Sequence, residues 1–191
     1  ARNREPILDV LRAWLPADGT MLEIGAGTGQ HARHFAAVLK GWQWQPSEHP
    51  SELATLRAGL VDTGLDNLLP PIALDVSGGW PDVGFDAVFS ANTAHIMHWN
   101  EVRAMFAGIG TALREGGLFF LYGPFKRAGS HHAPSNERFD ANLRARDPEM
   151  GLRDLVDIDR LARVSGLERF AELRMPANNH TLIFQKGSRD D

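Results

Sequence analysis

Thr20-Met21-Leu22-Glu23-Ile24-Gly25-Ala26-Gly27-Thr28-Gly29-Gln30 decides the reading of this chain. Residues 20–24 read as a short buried strand. The glycines at 25, 27 and 29 let backbone approach a ligand where side chains would collide. The helix expected from Gln30 opens with unpaired N–H groups. A dinucleotide loop of the form G-x-G-x-x-G would place its third glycine at position 30. Here that position is Gln30, and the third glycine arrives one residue early.

Outward from this loop, strands alternate with helices. Asn3 is expected to cap a first helix carrying Ile7, Leu8, Leu11, Trp14 and Leu15 on one face, with Pro6 in its opening turn. After the loop come a helix over 30–40, a second strand over 42–45, a helix with Leu53, Leu56 and Leu60, and a third strand near 72–74. Residues 85–90 form a fourth strand. Asn100 is expected to cap the next helix, with Val102, Met105, Phe106, Ile109 and Leu113 on its apolar face and Gly116-Gly117 as its stop. The run 118–122 is continuously apolar, as in a central parallel strand. Periodicity weakens over 123–157. A last helix at Ile158, Leu161 and Ala162 and strands at 167–173 and 180–184 complete the chain. Five strand–helix units and a final strand pair give an α/β sandwich with a mostly parallel sheet. Ligands of such sheets sit at the carboxyl ends of the strands.

Three acids stand at three successive strand ends. Glu23 precedes the glycine loop, Glu48 follows the second strand, and Asp75 follows the third. A pyrophosphate pocket has little use for Glu23, whereas a pocket for a cationic amino acid does. A carboxylate at 48 can accept both hydroxyls of a ribose. Asp75, or the backbone beside it at Val76, can meet the amino group of an adenine. Together these features match S-adenosylmethionine (SAM) better than NAD. Taken singly, the glycine triplet is also compatible with a tight turn, and each acid with a solvated surface or a helix cap.

Composition narrows the classes. The 191 residues suffice for one domain spanning 1–191. A net charge of -4 gives no general attraction to nucleic acid or to an anionic membrane. Without cysteine there is no disulfide framework and no cysteine-ligated zinc, and no metal site is expected. No apolar run is long enough to span a bilayer, and Ala1-Arg2-Asn3-Arg4 does not open a signal peptide. A cytoplasmic protein is the expectation. The absent initiator Met points to processing or trimming. Oligomeric state is not legible.

The runs Arg2-Asn3-Arg4-Glu5-Pro6-Ile7-Leu8, Gly27-Thr28-Gly29-Gln30-His31-Ala32, Trp44-Gln45-Pro46-Ser47, Leu121-Tyr122-Gly123-Pro124-Phe125-Lys126, Ala133-Pro134-Ser135-Asn136 and Met175-Pro176-Ala177-Asn178-Asn179 span nearly the whole chain. In them the sequence resembles the methyltransferase-like 26 family, SAM-dependent methyltransferase-like proteins long filed as a domain of unknown function. The resemblance implies the Rossmann-like class I methyltransferase sandwich, with a seven-stranded, mostly parallel sheet and an antiparallel last strand. It implies SAM as cofactor, with S-adenosylhomocysteine as product, and says little about the acceptor. Two positions depart from the pattern: Glu48 stands where Asp is expected, and Gly25-Ala26 replaces an Ala-Ser-like pair.

The cofactor candidates are Arg4, Glu23, Gly25, Gly27, Gly29, His31, Glu48, Asp75, Val76 and Asn92. Arg4 is equally a surface residue at a helix start, and Asn92 a turn cap. For catalysis the candidates are His95, Tyr122 and Asn136. His95 follows the fourth strand, where a transferable methyl group should point, and histidine titrates near neutrality. A packed or capping histidine is the equal alternative. The stretch 90–99 lacks the Asn-Pro-Pro-aromatic signature associated with planar amino acceptors in DNA or glutamine. Tyr122 ends the fifth strand and either holds substrate through its hydroxyl or only packs. Asn136, with Ser135, Phe139 and Arg144, belongs to an insertion over 124–154 expected to cover the substrate. Lys126 and Arg127 suit an anionic substrate or a solvated loop, Asn178-Asn179 a cleft or a turn, and His131-His132 a loop. The leading function is methyl transfer to a small-molecule acceptor. A non-catalytic SAM-binding subunit and, behind it, an NAD(P)-dependent oxidoreductase are the alternatives.

Overall fold

In a computed structural model describing residues 2–187, strand β1 (Gly19–Ile24) runs parallel between β2 (Trp42–Glu48) and β4 (Phe85–Ala91). β3 (Ile72–Ala73) flanks β2, and β5 (Leu113–Gly123) flanks β4, both in parallel. The last strand, β10 (Asn179–Lys186), runs antiparallel between β5 and β9 (Leu167–Met175). The order β3-β2-β1-β4-β5-β10-β9 is the Rossmann-like α/β sandwich expected of a class I methyltransferase fold.

Alternation along the strands feeds two cores. Met21, Trp44, Phe89, Phe120 and Ile183 meet Ile7, Leu8 and Leu11 of α1 (Arg4–Trp14) and Phe35 of α2 (Gln30–Val38). On the other face, Leu22, Val88, Phe119 and Phe184 meet Val102 and Phe106 of α4 (Trp99–Ala112) and Ile158 of α6 (Leu155–Val164). Full burial of such a side chain stabilises by about 1.5–3 kcal/mol relative to exposure. The short α3 (Leu53–Gly59) contributes buried Leu56.

Several boundaries differ from the sequence expectations for local reasons. The cap of α4 is His98, not Asn100. Glu101 reaches back to accept from the His98 N–H at 2.6 Å, closing a capping box. Leu113 belongs to β5 rather than to the face of α4, so Gly116-Gly117 lies within the long strand and does not stop the helix. β2 continues through Pro46 to Glu48. The outer edge of β2 pairs Trp44 with residues 67–69 and resumes at Ser47 opposite Ile72, so the missing N–H of Pro46 falls in a gap. Asn3 stands at the N-cap of α1 without a side-chain cap bond; its Oδ1 instead lies 3.3 Å from Nε2 of His31.

The segment after β5, expected to hold some helix, carries one helix and three short strands. β6 (Phe125–Arg127), β7 (Ser130–His131) and β8 (Arg153–Asp154) form a second small sheet, with α5 (Pro134–Arg146) between them. Asp140 of α5 ties the segment together. Its buried carboxylate meets His131 Nε2 at 2.9 Å, the Leu152 N–H at 2.8 Å and Arg144 Nε at 3.3 Å. No helix among the described residues is long and apolar enough to cross a membrane.

Candidate active site

The carboxyl ends of β1, β2, β3 and β4 open onto a cleft of about 310 Å³. Six of the residues singled out in the sequence line it: Gly25, Gly27, Glu48, Asp75, Val76 and Asn92. The glycines of the loop serve different ends. All three have left-handed φ, at +69° for Gly25, +59° for Gly27 and +78° for Gly29. A Cβ on Gly25 would fall 2.5 Å from the Thr93 methyl, and one on Gly29 would fall 2.4 Å from Leu60. A Cβ on Gly27 would meet nothing within 4 Å. Gly25 and Gly29 are therefore fixed by packing, while Gly27 leaves its backbone open to a ligand.

Glu48 is held before any ligand arrives. The Gly27 N–H donates to its Oε2 at 2.7 Å and the His49 N–H to its Oε1 at 2.8 Å. Each oxygen keeps further lone-pair directions for donors from the cleft. Asp75 forms a local turn, its Oδ1 accepting from the Ser77 N–H at 2.9 Å. Asn92 has φ +58°, a conformation asparagine tolerates better than most residues, and its N–H donates to the Tyr122 carbonyl. Sequence reading missed Thr93, whose hydroxyl lies 2.6 Å from Ser90 Oγ while its methyl packs on Gly25. Ser90 in turn donates to the Ile24 carbonyl at 2.9 Å. The signal available was only the adjacency of these residues after a strand.

Glu23 lies beneath the loop rather than in the cleft wall. Its carboxyl is buried and accepts from the Trp44 indole N–H at 2.7 Å. Burial pushes its pKa up to about 8, against the Trp44 hydrogen bond and with a small addition from Glu48. His31 and His95 shift the other way, both to about 4, chiefly because burial disfavours the imidazolium. The charge on Arg153 adds to the effect at His95. The folded state thus keeps a proton on Glu23 between about pH 4.5 and 8 that the unfolded state has lost, so stability falls as pH rises through that interval. The unfolded state holds protons on His31 and His95 between about pH 4 and 6.5 that the folded state lacks, so stability also falls as pH drops there. These three groups place the maximum near pH 6.5. Glu23→Gln, which keeps an acceptor for Trp44, should flatten the alkaline limb and stabilise at pH 8 by on the order of a few kcal/mol. Thermal melting of both proteins at pH 6.5 and 8 checks this; an unchanged alkaline slope in the variant would assign that limb to another group.

The catalytic candidates gather around the end of β5. A Cβ built on Gly123 would lie 3.7 Å from Nδ1 of His95 and 3.9 Å from Oδ1 of Asn92, so both side chains converge on that backbone. His95 is buried with its ring edge-on to Phe139 of α5, 5.2 Å between centroids. The Tyr122 hydroxyl faces Asn3 and Asn179, on the α1 side of the sheet, and burial raises its pKa. Asn136 is buried and donates to the Asn178 carbonyl at 3.1 Å, while Asn178 donates to Ser135 Oγ at the same distance. Arg4 stands apart from the cleft, in a surface depression with Gln30 and Arg33. Arg153 went unnoticed in the sequence. It donates to the carbonyls of Ala94 and Glu149 at 2.9 Å and to that of Met97, and lies over the Trp99 ring. The segment after β4 is thereby strapped to the segment after β5. Among the described residues no cluster of His, Cys, Asp and Glu could hold a metal ion.

The family model described as "Protein of unknown function (DUF938)" matches residues 1–186. The chain belongs to this DUF938 family. Its fold is also similar to that of solved methyltransferases. An O-methyltransferase family protein from Burkholderia thailandensis aligns with TM-score 0.82 at 16% identity, over 97% of this chain and 57% of that one. Mitomycin 7-O-methyltransferase MmcR aligns with TM-score 0.81 at 18% identity, over 96% and 54%. Human N-acetylserotonin methyltransferase in complex with SAM aligns with TM-score 0.77 at 14% identity, over 97% and 55%. The chain spans little more than half the length of these structures, and the likeness is one of fold.

Proposed function

We propose that this DUF938 chain is a methyltransferase that binds SAM in the cleft at the ends of β1–β4 and serves a small-molecule acceptor. The observation that carries the reading is the cleft itself, where a loop glycine with open space above it, an oriented carboxylate at 48 and the Asp75-Val76 pair stand on three successive strand ends. These residues fit the group. Glu48 has acceptor capacity for ribose hydroxyls, Asp75 and the Val76 backbone suit an adenine edge, and the open backbone at Gly27 allows close approach of the amino-acid portion. Glu23 supports the loop from below. When bound, SAM supplies an electrophilic methyl group.

His95 and Asn92 mark where the acceptor is held, since both converge on Gly123 beyond the cleft. With its pKa near 4, His95 is neutral at physiological pH and offers one donor and one acceptor nitrogen. It therefore orients an acceptor hydroxyl or amine by hydrogen bonding. Asn136 positions the 124–154 segment over that end through Asn178, excluding water. The motif runs quoted above support placement in the methyltransferase-like 26 family, and the net charge supports a small-molecule partner over nucleic acid. A cytoplasmic site of action and one domain over 1–191 belong to the same reading. Calorimetry with SAM, S-adenosylhomocysteine and NAD tests it. Saturable binding of the first two and none of NAD is expected; binding of NAD with no response to SAM would replace the reading with an oxidoreductase.

A further inference from the structure

A second cavity, of about 280 Å³, lies beside β9 and β10, lined by Arg127, His132, Glu172, Arg174, Asn179 and His180 among others. We propose that this cavity binds the carboxylate or phosphate group of a small organic anion.

The acids nearby are already engaged. Glu172 accepts from Nη2 of Arg127 with both oxygens at 2.7 Å and from Arg169 at 2.7 Å. Asp159 pairs with Arg169 at 2.8 Å, and Asp154 accepts from the backbone N–H groups of Ala128 and Gly129. The cations are not engaged to the same degree. Arg127 meets Glu172 through Nη2 alone, so its Nε–H and Nη1–H groups remain as separate single donors. Arg174 has no carboxylate within ion-pair distance among the described residues, and it sits opposite His180 in the β9–β10 register.

His180 supplies an independent observation. It is 6% exposed and lines the cavity, yet its Nδ1 is buried without a hydrogen-bond partner, and its Nε2 stands 3.7 Å from Glu172, beyond hydrogen-bond reach. Its ring packs against His132, with centroids 5.0 Å apart. A buried imidazole left without partners is costly unless a ligand or ordered water completes it. Two arginines and two adjacent imidazoles around one hollow form a cationic, donor-bearing site whose own acids are spent. The inference stands apart from methyl transfer, because binding alone tests it.

The test follows the histidine ring signals of the full chain by NMR during titration with inorganic phosphate and, separately, with acetate at constant ionic strength. Saturable shifts confined to His132 and His180 are expected, with His34 and His49 unmoved. Arg174→Gln should weaken binding about tenfold or more, with an unchanged melting temperature. His180→Asn gives a second variant should the first alter the fold. Shifts reproduced by chloride at the same ionic strength, no saturation with either anion, or equal affinity in a folded Arg174→Gln would overturn the proposal. Competition between the anions and a later-identified acceptor would mark the site as the acceptor's acid subsite; additive binding would mark it as a site for a free anion.

Discussion

Replacing Glu48 with alanine is expected to weaken SAM binding by about 1.5–3 kcal/mol, the scale of hydrogen bonds to a charged group, which is roughly 10- to 150-fold in affinity. Two losses combine. The proposed ribose acceptor disappears, and the Gly27 N–H loses the carboxylate that holds the glycine loop at 2.7 Å. Glu48→Gln separates them, since an amide oxygen can still accept from one backbone N–H while the charge is gone. Its affinity should fall between the two. Calorimetric titration of folded variants measures the effect, and a change within error for Glu48→Ala would show that the ribose acid lies elsewhere.

The acceptor end should respond in turnover instead. His95→Ala and Asn136→Ala, made separately, are expected to leave SAM affinity nearly intact while turnover falls by about 10- to 10⁴-fold. The two should differ in kind. His95 converges on Gly123 with Asn92, so its loss should lower kcat. Asn136 holds the Asn178 turn, so its loss should raise KM as well, and some thermal stability should go with it. Because burial and the Arg153 charge hold His95 near pKa 4, the wild-type rate should show no histidine limb between pH 7 and 5. If both variants turn over normally, or lose SAM binding in proportion to activity, the proposed acceptor site is misplaced.

Much of this was legible in the sequence because it rests on local pattern. The apolar runs gave the strands their order, and the glycine loop marked one cleft wall, with Gly25, Gly27, Glu48, Asp75, Val76 and Asn92 all lining that cleft. What escaped depends on contacts between distant segments. Nothing in the residues around Arg153 announces that its guanidinium will cap carbonyls at 94 and 97, and the role of Asp140 as a hub emerges only when α5 folds back on β7. Glu23 shows the same limit in reverse. The acid was visible, but its partner is Trp44 on the next strand, reached by lateral pairing. The expected helix stop at Gly116-Gly117 failed because β5 already pairs with β4 at Leu113, and the glycines fall in the irregular stretch of β5 between Leu113 and Leu118, where Gly116 has φ +73°.

The place of β10 bears on how the chain is made. Residues 179–186 fill an interior slot of the sheet, between β5 and β9, with no substitute edge for either neighbour. A nascent chain emerging from the ribosome presents β1 to β5 first and then β9, yet the gap beside β5 stays open until β10 arrives. Contacts of this separation form late and slowly. The unfilled edge of β5, with its run of Phe119, Phe120 and Leu121, is then a template for pairing with other chains. Synthesis halted before residue 179 should therefore give aggregation or chaperone capture rather than a stable fragment.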